Sequence, residues 1–206
     1  MAKYTGPDCR LCRREGCKLF LKGERCTSKK CAFERRPVLP GQHGADRKRT
    51  TEYLIQLREK QKVKRAYGVL ENKFYSYYVE ADRMKGVTGE NMLSLLERRL
   101  DNVCYRMGIG SSRKESRQIV NHRQICVNGK SVNIPSYQVK VGDIISVKES
   151  KKDLEMFKAI KGTRIILPKW VEFDSDKLEG KVVALPQRDD IDLNIKENLI
   201  IELYSR

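Results

Sequence analysis

Between Pro7 and Arg36 the chain reads PDCRLCRREGCKLFLKGERCTSKKCAFERR, five cysteines set among lysines and arginines. Hydrophobic burial alone cannot hold this stretch, because its large apolar residues are Leu11, Leu19, Phe20, Leu21 and Phe33 and no more. The spacing of the thiols says what supplies the rest. Cys9 and Cys12 form a C-x-x-C pair, Cys26 and Cys31 a C-x4-C pair, and thirteen residues separate the two. Two thiolates on one tight turn face a common tetrahedral ion at about 2.3 Å, and a second pair returning after a short loop closes the shell. A redox C-x-x-C sits at a strand-to-helix turn, and no strand precedes Cys9. Using Cys17 would break one pair, so the predicted ligands of one structural zinc ion are Cys9, Cys12, Cys26 and Cys31. A four-thiolate iron-sulfur cluster fits the same spacing and stays open as the alternative.

Structural zinc contributes about 10–16 kcal/mol to small modules, enough to order a segment this poor in apolar residues. Four thiolates carry more negative charge than one zinc ion neutralises, and Arg10, Arg13, Arg14, Lys18, Arg25, Lys29, Lys30, Arg35 and Arg36 offset the excess. No open coordination position is implied, so the ion reads as structural and not catalytic.

The charge balance points to a polyanionic partner. Of 206 residues, 43 are Lys or Arg and 27 Asp or Glu, a formal charge of +16. Residues 1–65 hold 19 basic and 7 acidic side chains, 66–170 hold 19 and 11, and 171–206 hold 5 and 9. The field is strongest in the first third, and the last stretch is acidic. Met1 to Pro7 lacks the apolar centre of a signal peptide, and no stretch is apolar for the length of a membrane span. The expected compartment is therefore the cytosol, where thiols stay reduced.

After the cysteines, Pro37, Pro40, Gly41 and Gly44 mark an irregular loop that runs into the basic cluster Arg47, Lys48 and Arg49. His43 in that loop has no evident acid partner and reads as an RNA-contacting or packing residue. Thr51 is a candidate N-cap for a helix ending near Gly68, with Tyr53, Leu54 and Leu57 on one face and Arg58 among the cations elsewhere. A second helix is expected over residues 71–85, its aromatics Phe74, Tyr75, Tyr77 and Tyr78 in the core. A third is expected from Thr88 to Met107, with Met92, Leu93, Leu95, Leu96, Leu100 and Val103 at helical spacing and Cys104 buried beside them.

Ser112 and Glu115 make a capping box opening a short helix that carries Arg113, Lys114 and Arg117 near its N-terminus. Asn128-Gly129 between alternating runs is a hairpin signal, with Ile125 and Val127 inward and Lys130 near the turn. VKVGDIISV reads as a turn and a further strand. A cation-bearing helix N-terminus beside a basic hairpin makes a phosphate cradle. A helix capped by Ser150 is expected over 150–160, then strands at WVEFD, GKVVAL and ENLIIELYS.

Taken together these residues resemble a known family. RLDNVCYRMG at Arg99–Gly108, SRKESRQIVNHRQICVNGKSV and VGDIISV are similar to the small RNA-binding module named after ribosomal protein S-four. The flanks, namely the cysteine pattern, PGQHG at Pro40–Gly44, GVTGENMLSLLERRLDNV and ELYSR, extend the resemblance over the whole chain, to the zinc-bearing form of the bacterial family of small-subunit ribosomal protein number four. The resemblance implies a primary binder of small-subunit rRNA at a multi-helix junction, nucleating assembly of the subunit body and contributing to translational accuracy. It implies contact with ribosomal protein number five, a position near the path by which messenger RNA enters, a cytoplasmic ribosomal location, and in some members translational control of the operon. No membrane, no second copy of the chain and no enzymatic activity are expected. The family's zinc ligands fall on Cys9, Cys12, Cys26 and Cys31.

The expected fold is α+β: a zinc-stapled basic arm (1–50), a helical body (51–95, completed by 150–206), and the RNA-binding module (96–149) with a small, mostly antiparallel sheet, inserted before a short C-terminal β segment. Basic residues spread over several regions suit RNA gripped through phosphates and shape across more than one helix, because A-form RNA hides its major-groove edges. The expected contacts are Arg13, Arg14, Arg35, Arg36, His43, Arg47, Lys48, Arg49 and Arg58, with Arg113, Lys114, Arg117, Arg123 and Lys130 from the module. An RNA-modifying enzyme with the same module, such as a pseudouridine synthase, would need a catalytic domain with a nucleophilic aspartate. Two histidines and no acid-base constellation argue against it. A zinc-dependent DNA-binding regulator would need a reading helix and a dimerisation surface.

Overall fold

Thr51 starts a fifteen-residue helix in the way its sequence requires: its hydroxyl accepts the Leu54 N–H at 3.3 Å, with Glu52 in the first turn and Lys64 and Arg65 in the last. The computed structural model describes residues 3–46, 49–162 and 166–205. Its elements are α1 (Asp8–Glu15), α2 (Ala32–Arg35), α3 (Glu52–Ala66), α4 (Glu71–Arg83), α5 (Thr88–Glu97), α6 (Leu100–Arg106), α7 (Arg113–Asn121), β1 (Ile125–Val127), β2 (Lys130–Val132), β3 (Ile144–Val147), α8 (Glu155–Lys158), β4 (Val171–Asp174), β5 (Glu179–Val182) and α9 (Glu197–Tyr204). They fall into two units, Met1–Met92 with Leu193–Arg206, and Leu93–Asp192. The division lies inside α5. The sequence reading gave 150–206 to the helical body, whereas residues 150–192 belong to the second unit because β5 hydrogen-bonds along β3.

In the first unit α9 lies against α3. Gln56 Nε2 donates to Glu202 at 3.0 Å, and the Lys196 N–H donates to Glu59 at 3.0 Å. The Tyr204 hydroxyl donates to Glu71 at 2.9 Å, and its ring sits among Phe74, Tyr75 and Tyr78. The expectation of a strand at ENLIIELYS is corrected here: the segment is helical, and its buried Ile200 and its polar contacts serve packing on α3. Within α4, Phe74, Tyr77 and Ala81 are buried at helical spacing, while Tyr75 is half exposed instead of lying in the core.

The second unit is built on a five-stranded antiparallel sheet of order β2-β1-β3-β5-β4. Asn128 and Gly129 have φ of 49° and 78°, the pair of left-handed residues that matches strand twist in a two-residue hairpin. Leu100, Val103, Met107, Ile119 and Val120 from α6 and α7 close one core with Ile125, Ile145, Val147, Trp170, Val171 and Val182, and Cys104 is buried there too. Fully burying each aliphatic side chain contributes roughly 1.5–3 kcal/mol. A Cβ on Gly180 would lie 2.6 Å from the Glu172 carbonyl of the paired β4 and 2.8 Å from the end of the Met107 side chain, so only glycine fits without a shift of one of them.

The expected single helix from Thr88 to Met107 is two helices. Arg99 leaves helical geometry (ψ 136°), because the flanking backbone bonds elsewhere: Leu100 N–H donates to Tyr137 O at 2.9 Å and Val139 N–H to Arg98 O at 3.0 Å. The expected helix over 150–160 is a 3-10 turn at Glu149–Lys151 followed by the single turn α8, and Ser150 caps neither. No helix among the described residues is long and apolar enough to cross a membrane.

Candidate nucleic-acid interface

The arm is built around α1, which ends at Gly16 with φ 66°. Cys12, Cys26 and Cys31 are buried and Cys9 partly so. Backbone N–H groups already point at two of the sulfurs: Lys22 donates to Cys26 Sγ at 3.3 Å, and Leu19 donates to Cys12. Burial, and after it the neighbouring thiols of Cys26, Cys9 and Cys17, push the Cys12 thiol up to about 11 against the Leu19 hydrogen bond. Burial raises the Cys17 thiol as well, and its charged neighbours are Lys62, Glu15 and Glu59. Among the described residues no three His, Cys, Asp or Glu side chains converge in ligating geometry. The donor type still fits a soft divalent cation, which takes sulfur ligands and binds cysteines as thiolates.

Glu15 ties the arm to α3. Its carboxylate is buried, pairs with Arg58 at 3.2 Å and with Arg65, and is raised by burial against the pull of Arg65, Arg58 and Arg14. Arg58, expected to meet RNA, is therefore engaged inside the protein. Arg13 is likewise used: its Nε–H donates to the Val38 carbonyl at 2.7 Å and lays the loop after α2 along α1. His43 does have an acid partner, Asp46, with Nδ1 3.0 Å from the carboxylate, and both are exposed. Arg14, Arg35, Arg36 and Arg49 are exposed, as an RNA-facing set would be. Arg47 and Lys48 lie outside the described residues.

In the second unit Arg99, Arg106, Arg113 and Arg117 turn inward. Arg106 grips the fully buried Glu97 through two hydrogen bonds of 2.9 Å. Asn102 donates to Glu97 at 2.7 Å and accepts from Arg113 Nε at 2.8 Å. Arg99 holds Asp101 through bonds of 3.0 and 2.6 Å, and Arg117 stands 3.5 Å from the same carboxylate. The Arg113 guanidinium also lies 4.6 Å above the Tyr105 ring. Arg117 is buried and Arg113 largely so, because this lattice fixes α7 on α6.

The helix N-terminus is partly served from within as well. Ser112 Oγ accepts the Glu115 N–H at 3.3 Å, while the Glu115 carboxylate bonds the Ser111 N–H at 2.6 Å instead of completing the box on Ser112. The expected cradle at the start of α7 therefore retains Lys114, half buried, as its outward candidate.

The exposed cations of the module sit at the two ends of β1. At one end Arg123 follows α7, its carbonyl accepting the Ser131 hydroxyl, and Lys148 hydrogen-bonds the Gln124 carbonyl through its N–H. At the other end Lys130 leaves the hairpin turn, and Lys140 lies beside Asp143, whose carboxylate accepts from the Asn128 amide. Sequence reasoning missed Lys140 and Lys148; the strand register that groups them with Arg123 and Lys130 was the only available signal. It also missed Glu15 and Glu97; for Glu97 a charge at the end of the apolar run MLSLL was the sign, and for Glu15, set among arginines, there was none.

Two stretches of the chain match known families: residues 3–97 the Ribosomal protein S4/S9 N-terminal domain, and residues 98–145 the S4 domain. Over the full length of both chains the sequence is 62% identical to Small ribosomal subunit protein uS4 of Caldicellulosiruptor saccharolyticus and 62% to that of Caldicellulosiruptor bescii. The protein of the same description from Ruminiclostridium cellulolyticum is 61% identical, again over all of both chains. With both domains in order and identity of this level from end to end, the chain belongs to the small ribosomal subunit protein uS4 family.

Proposed function

We propose that the chain is a structural constituent of the small ribosomal subunit and that it binds small-subunit rRNA in the cytoplasmic ribosome. The observation that carries this is full-length identity of about 60% to proteins of that description. The surface agrees with it: exposed cations stand on the arm and at both ends of β1, which suits phosphates of several RNA helices and not one groove. The chain acts by binding and not as an enzyme. The finer reading is a primary binder at a multi-helix junction that nucleates assembly of the subunit body, touches ribosomal protein number five, lies near the path by which messenger RNA enters and contributes to accuracy. The +12 charge of residues 1–65 supports early binding, since it steers association before other proteins arrive.

The same proposal includes one structural zinc held by Cys9, Cys12, Cys26 and Cys31. The paired spacing and the N–H donors at Cys12 and Cys26 support this set. When bound, the ion neutralises thiolate charge and cross-links the arm.

Filter binding of an rRNA transcript across a salt series tests the RNA-binding reading. Affinity should fall steeply, with a logarithmic slope approaching the number of phosphates neutralised; a nearly flat response refutes it. Metal analysis tests the site. One zinc per chain, kept by Cys17→Ser and lost by Cys26→Ser, is the expected result; no metal, or iron with sulfide, refutes it.

A further inference from the structure

Phe20 has φ of 49°, a left-handed conformation that a bulky side chain adopts only under constraint. Other residues with positive φ have local reasons. Asn128 belongs to the hairpin turn, Arg123 follows the end of α7, and Leu178 is fully buried, so its own packing offsets the strain. Phe20 is 41% exposed, so packing offsets less of its strain than it does for Leu178. Its neighbours Leu19 and Leu21 are both buried, so of the three side chains Phe20 is the exposed one. If that turn served only to bury the two leucines, asparagine or glycine would make it with less strain.

The outcome is a partly exposed aromatic side chain in a basic segment. Lys18 is paired with Glu34, while Lys22 and Arg25 are exposed. Proteins recognise unpaired RNA bases by stacking them on aromatic rings, a contact that continuous duplex, with its bases already stacked, cannot offer. We propose that Phe20 is a stacking platform for one unpaired base of the RNA held by the arm. Cations bind phosphates in any helix, whereas this ring adds a preference for a bulge, loop or junction. The inference rests on the RNA-binding reading above and extends it to the kind of nucleotide the arm selects.

The test is equilibrium binding of a small-subunit rRNA transcript to the full chain, wild type against Phe20→Asn, Phe20→Leu and Phe20→Trp, each across a salt series. Asparagine tolerates the backbone and leucine keeps apolar bulk, but neither offers a π face. Both should weaken binding about 5- to 150-fold, the range for loss of one stacked base. The salt slope should not change, because stacking releases no counterions. Phe20→Trp should bind like wild type and lose emission on binding, above the background of the chain's one tryptophan, Trp170. Free Phe20→Asn should melt at or above the wild-type temperature.

Phe20→Leu or Phe20→Asn binding as tightly as wild type overturns the proposal. So does a loss that comes with a shallower salt slope, since that means the arm's cations have moved and Phe20 is structural. Failure of the wild type to bind would sink the RNA-binding reading itself, and this inference with it.

Discussion

Replacing Glu97 by glutamine asks whether a buried carboxylate holds α6 and α7 together. The Glu97 side chain is fully buried and takes two hydrogen bonds of 2.9 Å from Arg106 and one of 2.7 Å from Asn102. Glutamine keeps the shape but turns one acceptor into an amide donor aimed at a guanidinium. A hydrogen bond to a charged group contributes about 1.5–3 kcal/mol, and breaking a buried ion pair costs about 3–5 kcal/mol because the surviving charge is left unmatched. Arg106 would retain Asp192, whose side chain is 80% exposed and so screened by water.

The expected loss is therefore about 3–5 kcal/mol. Urea unfolding of the full chain, followed by the emission of Trp170 in the same unit, measures it. At an m-value of about 2 kcal/mol/M the midpoint should fall by roughly 2 M. The double variant Glu97→Leu with Arg106→Met, which buries neither charge, should be less destabilised than the single one. A loss under about 1 kcal/mol, or one abolished by 1 M salt, would show that the pair behaves as a surface contact and refute the reasoning.

Glu71 is an acid-sensitive hinge between α3, α4 and α9. Burial alone would raise its carboxyl, but hydrogen bonds from Lys60, Lys64 and Tyr204 outweigh that and hold it at about 2 against an ordinary 4.5. Its contribution is thus present above pH 4.5 and lost as pH falls toward 2. Glu71→Gln should cost about 1 kcal/mol at pH 7, after allowing for a side chain 40% exposed, and clearly less at pH 2, where the carboxyl is about half protonated, by thermal melting at both. Gly180→Ala should destabilise the second unit by about 1–3 kcal/mol through overpacking against Met107 and the β4 backbone, measured by urea unfolding; an unchanged midpoint would contradict the contact. Asn128→Ala should lose about 1–2 kcal/mol, and Asn128→Gly less, since glycine restores the φ but not the bonds to Asp143 and Ile144. Equal losses would show that φ plays no part.

Local chemistry was legible where the interaction was local. Thr51, the Asn128-Gly129 turn and the stops near Gly68 and Gly86 announce themselves within a few residues, and each is found. The arm expected as a separate stretch over 1–50 is part of the larger unit Met1–Met92, because Glu15 on α1 pairs with Arg58 and Arg65 on α3. What stayed hidden depends on distant partners. The break at Arg99 exists because residues 137–139 pair with the chain there, some forty positions on. ENLIIELYS has the apolar run of a strand, and only Gln56 and Glu71, far back in the chain, show why it is a helix. Arg113 and Arg117 sit where a helix start usually meets phosphate, yet their partners Asn102 and Asp101 come from the preceding helix. A reading by charge counts such arginines as surface, and geometry moves them inside.

The strand order β2-β1-β3-β5-β4 sets a timetable for synthesis. The hairpin and β3 can assemble once Val147 has been made, but the open side of β3 is closed by β5, which is complete only at Val182. At about 5–20 residues per second, β3 therefore presents an unpaired edge for a few seconds. Such an edge is a template for any other extended chain nearby. The β4–β5 hairpin has to dock as a late clasp, so a ribosome that pauses between residues 147 and 182 prolongs an interval in which the nascent sheet is vulnerable to misassembly.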